Sequence, residues 1–85
     1  MRSTSAVITE IIEAYGDRTG QWVPVAEIAE HTGLTREELT EAITELMDSD
    51  GFQAEPQPFG WRITARDREI APVIGGEARH LICWK

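Results

Sequence analysis

The chain has 85 residues, 41% of them hydrophobic and 27% charged, with a net charge of −7. One domain around one core fits that length, and no apolar run approaches the ~20 residues of a membrane span. The single cysteine, Cys83, excludes an intrachain disulfide and a multi-thiolate metal site, and the acidity opposes nonspecific adhesion to phosphate backbones or anionic membranes.

Val7, Ile8, Ile11, Ile12 and Tyr15 recur with helical period, which predicts a first helix capped by Ser3 or Thr4 and stopped by Gly16. Asp17 to Gly20 is a polar turn, and Gln21-Trp22-Val23 is long enough only for a small strand or extended segment. Pro24 is expected to open the second helix, where a missing N–H costs nothing. Ile28 and Ala29 supply that helix's buried edge, and Gly33 stands where the chain must turn with positive φ. Thr35 can cap a third helix, Glu38 can close a capping box with it, and Leu34 can staple onto Leu39. This helix runs from about Arg36 to Met47, with Leu39, Ala42, Ile43, Leu46 and Met47 inward. Asp48-Ser49-Asp50-Gly51 reads as its terminator, because Leu46 and Gln57 occupy positions where a calcium loop needs carboxylates.

From Phe52 the period becomes two. Phe52 and Ala54 alternate with Gln53 and Glu55, then Trp61 and Ile63 with Arg62 and Thr64, which predicts strand, loop, strand around Pro56 to Gly60. Thr64 to Asp67 can open a short helix, Pro72 and Gly75-Gly76 break the chain, and Arg79 to Trp84 has the composition of a closing strand. Trp22, Trp61 and Trp84 are thus all expected on strands, at least two of them filling the space between sheet and helices.

This order, with its most specific tract between Ala26 and Leu46, resembles a winged helix-turn-helix domain of the bacterial or phage regulator type over nearly the whole chain. The resemblance implies the α+β class: a single domain over 1–85, a three-helix bundle with a two- or three-stranded antiparallel sheet, the helix-turn-helix at about 24–48 and the wing at about 52–85. It also implies binding of double-stranded DNA in transcriptional regulation or another DNA transaction. The third helix would enter the major groove and the wing would touch the backbone or minor groove.

On that reading Arg36 contacts a base or phosphate, Thr40 and Thr44 share its side of the helix, and Arg62, Arg66, Arg68 and Arg79 anchor phosphates. Residues 1–60 hold three arginines against twelve acids, whereas residues 61–85 hold four arginines and Lys85 against three acids, so an anion-binding surface is expected in the last third. Opposing it, the third helix exposes Glu37, Glu38, Glu41, Glu45 and Asp48. Each carboxylate facing a phosphate at ~6 to 8 Å costs ~0.5 to 1 kcal/mol. The alternative is a protein-interaction module without DNA binding, using Glu37, Glu41, Glu45 and Asp48 toward a basic protein, or Trp61 and Trp84 toward a partner or a second copy. A purely structural reading pairs the later arginines with Asp67, Glu69 and Glu77 on the surface.

His80 and Cys83 fall on opposite sides of the closing strand and His31 at a helix end, so no shared metal site is expected. Gly75-Gly76-Glu77 lacks the spacing of a nucleotide-binding loop, and no nucleophile is paired with a base, so neither cofactor nor catalytic residue is expected. The missing apolar core of a secretory signal predicts a cytoplasmic setting.

Overall fold

The computed structural model describes residues 3–49 and 51–84. Helix α1, Thr4–Tyr15, starts where the Ser3 hydroxyl accepts the Ala6 N–H, and Gly16 caps its end. Val7, Ile11 and Tyr15 are buried and Ile8 half-buried, but Ile12 is 45% exposed. The predicted stripe is therefore too wide: packed chiefly along α3, the helix buries the line of every fourth residue and leaves Ile12, rotated about 100° from Ile11, in solvent.

Strand β1 is Val23–Pro24 and helix α2 is Val25–Thr32. Pro24 is the cap of α2 instead of its first residue, because the Val25 N–H donates to the His80 carbonyl and holds the chain extended one residue longer. Gly33 adopts φ 73° and returns its N–H to the Ala29 carbonyl, the left-handed geometry the corner needs. Helix α3, Arg36–Met47, begins with the full capping box: Thr35 Oγ1 accepts the Glu38 N–H at 3.2 Å, and Glu38 Oε1 accepts the Thr35 N–H at 2.9 Å. Leu34 and Leu39, on either side of that cap, are both in the core.

Strand β2 is Phe52–Glu55, and the last strand in sequence, here β5, is Leu81–Trp84. Between them lie a 3₁₀ turn at Gly60–Arg62, helix α4 at Ala65–Ile70, and a hairpin of β3, Val73–Ile74, with β4, Glu77–Ala78. Strand β5 is the central strand of an antiparallel sheet ordered β1-β5-β2, with Ile82 opposite both Val23 and Ala54. Those three side chains are all buried, so one face of the sheet closes the core made by α1, α2 and α3. Ile11, Ile28, Leu39, Ile43 and Ile82 are fully buried there, each contributing ~1.5–3 kcal/mol of transfer free energy.

The α+β class holds, with four α-helices among the described residues: the three of the expected bundle and the short helix that Thr64 to Asp67 can open. Helix α4 is specified by a second capping box, Thr64 with Asp67, and packs on α2. The segment around Trp61 is not a strand. Pro56 and Pro58 lack the N–H groups a ladder needs, and the chain from Gly60 closes a tight turn in which the Ile63 N–H returns to the Gly60 carbonyl. Gly75 and Gly76, with φ 64° and 81°, form the two-residue turn of the β3–β4 hairpin.

Candidate functional site

The exposed face of α3 carries Glu37, Glu41, Glu45 and Asp48. Thr40 and Thr44 do not aim hydroxyl donors outward: Thr40 Oγ1 donates to the Arg36 carbonyl and Thr44 Oγ1 to the Thr40 carbonyl, each at 2.7 Å. Glu41 accepts a hydrogen bond from the Thr4 hydroxyl at the start of α1. Arg36, the one cation in α3, directs Nε–H onto the Ala71 carbonyl at 3.1 Å and so moors α3 to the end of α4. The face is a shallow acidic trough bordered by Val73 of the hairpin at one end and Thr4 at the other.

The arginines of the last third have separate surroundings. Arg66 lies 3.6 Å from Glu69 in an exposed pair, and Arg68 makes no ion pair with a described residue. Arg79 is not an outward anchor. Its side chain is only 14% exposed, with Nη1–H on the Ala54 carbonyl at 2.9 Å, Nε–H and Nη2–H on the Ile74 carbonyl, and Glu77 at 3.6 Å. It clamps the hairpin onto the main sheet. Arg62 lies over two rings, 4.9 Å from the centre of Trp61 and 5.5 Å from that of Phe59.

The three tryptophans divide differently from expectation. Trp84 packs edge-on against Phe52 at 5.2 Å and borders the core, so of the two aromatic residues expected at an interface it is committed to the fold. Trp22 precedes β1 and is 47% exposed, since the inward position of that short strand goes to Val23. Trp61 is 76% exposed and tilts against Phe59, itself 51% exposed.

Trp22, Pro56, Pro58 and Phe59 line a depression of about 590 Å³, and Trp61 and His80 line a neighbouring one of about 360 Å³. Pro24, Gln57, Arg62 and Leu81 border both, which makes one cleft with two lobes. The wall is fixed from behind, where His80 Nδ1 accepts the Gln57 N–H at 3.0 Å. Trp22, expected on a strand with the other two tryptophans, is an exposed member of this lining, and Phe59 is one that the residue pattern did not single out. The signal was Pro56-Gln57-Pro58-Phe59-Gly60: apolar side chains in a segment barred from pairing have no sheet to bury them.

His31 meets the edge of the Tyr15 ring, Cys83 is buried in β5, and no group of three or more metal-ligating side chains occurs among the described residues. No helix among those residues is long and apolar enough to cross a membrane. No family model matches the sequence, and comparison with the curated proteins and with the solved structures gives no match.

Proposed function

We propose that this chain is a winged-helix domain used to recognise another protein, with the aromatic cleft as its contact surface. The winged-helix assignment is supported by the strand order: a short strand between α1 and α2 pairs with the last strand, which pairs in turn with the strand after α3. The long β2–β5 connection takes the place of the wing.

The observation that carries the protein reading is the exposure of Trp22, Phe59 and Trp61 together on one side of a domain this small. Exposed aromatic groups that a fold does not need are characteristic of contact sites, and Trp and Arg are among the side chains enriched at binding hot spots. The DNA reading has less support. The α3 face sets four carboxylates against one arginine already engaged with Ala71, and of the four proposed phosphate anchors Arg79 is turned inward.

Fluorescence anisotropy of a labelled random-sequence duplex, at low and at physiological salt, separates the readings. Protein recognition predicts no saturable binding at either. Saturation whose salt slope becomes shallower by about one for each phosphate-bound arginine removed, tested with an Arg62→Ala, Arg66→Ala, Arg68→Ala variant, would restore the DNA reading.

A further inference from the structure

We infer that the two-lobed cleft takes a short proline-rich peptide in polyproline II conformation, supplied by a partner protein. The inference rests on the protein-recognition reading and names the ligand chemistry. Three features select this occupant.

The first is size. The exposed parts of Trp22, Phe59 and Trp61 amount to roughly 400 Å², taking ~200–250 Å² for each whole residue. A stable dimer or a folded partner needs ~800 Å² on each side, so the patch suits a peptide.

The second is the backbone beside the cleft. A peptide that joined the sheet along β1 would need outward-facing amides. Val23 pairs with Ile82 and the Val25 N–H goes to His80, so the residue between them, Pro24, faces outward with no hydrogen to donate. Strand addition is blocked there, and recognition must fall to side chains. Polyproline II needs no backbone ladder, enters the bound state with little entropy left to lose, and docks its rings against aromatic faces.

The third is charge. Arg62 is the cleft's one guanidinium, set against Glu55 and Asp67, and it is held over the two rings instead of projecting freely. One guanidinium against two carboxylates, in a strongly acidic molecule, does not attract a polyanion, and the aromatic surface leaves room for a neutral ligand. The prolyl amide is a neutral ligand whose carbonyl oxygens can accept from the Arg62 guanidinium.

The test is a tryptophan-fluorescence titration of the full chain with a decaproline peptide, alongside a glycine-serine peptide of equal length and the random duplex. The expected result is weak saturable binding of decaproline only, with Kd raised roughly tenfold or more in Trp22→Ala and in Phe59→Ala. Circular dichroism checks that both variants stay folded, and because Trp22 is itself a reporter, Phe59→Ala is the decisive one. No response to decaproline, or one that survives Phe59→Ala, overturns the inference. If the duplex is silent as well, the protein-recognition reading still stands without this ligand; if the duplex saturates, that reading falls too. Sedimentation of the chain alone covers the remaining occupant, since concentration-dependent dimers abolished by Phe59→Ala would assign the cleft to a second copy.

Discussion

Arg79 and Ala54 lie twenty-five positions apart in the chain and are joined by a guanidinium-to-carbonyl hydrogen bond of 2.9 Å, the link that fastens the β3–β4 hairpin to β2. With two further donors on Ile74, removal of the side chain leaves two carbonyls without these partners. Arg79→Ala is expected to cost ~2–4 kcal/mol in urea unfolding, and Arg79→Lys to recover less than half, since an ammonium cannot reproduce the planar fork. A change within ~0.5 kcal/mol, the usual effect at an exposed charge, would mean that Arg79 faces outward after all.

The two capping boxes should behave differently. Thr35→Ala removes a cap from a helix that carries four core residues, so it is expected to lower global stability by ~1 kcal/mol. Helix α4 has six residues and buries only Ile70, so Thr64→Ala is expected to appear as faster hydrogen exchange over residues 65–70 with a smaller global loss.

Tyr15 gives the fold a dependence on alkaline pH. Burial pushes its hydroxyl above the ordinary value of 10.0 and the neighbouring Glu27 carboxylate adds to this, while the Arg18 guanidinium pulls partly back. The folded state therefore holds the proton more tightly than the unfolded chain does. This contribution is complete below pH 10 and is lost as the pH rises from there through the folded value. As Tyr15 is the only tyrosine, its ultraviolet titration reads the folded value directly. Tyr15→Phe should flatten stability across that window.

Collisional quenching should separate the tryptophans. Trp22→Phe and Trp61→Phe are each expected to remove a readily quenched part of the emission with a stability change within ~0.5 kcal/mol, because neither indole is in the core. Trp84→Phe should remove the protected part and destabilise the chain through its packing on Phe52.

Local rules made the helical half legible. The spacing of Val7, Ile11 and Tyr15, the glycine at 33 and the Thr35–Glu38 box each act within one turn of chain, and each appears in its place. The segment from Pro56 to His80 was harder to read, because alternation at Trp61 and Ile63 imitates a strand, whereas pairing there is decided by prolines upstream and by where β5 finds its neighbours. The site suffered from the same limit. Charge counts pointed to the last third, but only packing reveals that Arg79 is spent on Ala54 and Ile74 while Phe59 and Trp61 are left in solvent.

Amide and indole chemical-shift mapping of the isotope-labelled chain, with decaproline and random duplex present together in equal excess, sets the two faces of the molecule against each other. Recognition through the cleft predicts shifts at Trp22, Phe59 and Trp61, with α3, Arg66 and Arg68 unchanged, whereas shifts at Arg66 and Arg68 without Trp22 and Phe59 would belong to the duplex. Shifts along Glu37, Glu41, Glu45 and Asp48, with the cleft silent, would contradict it.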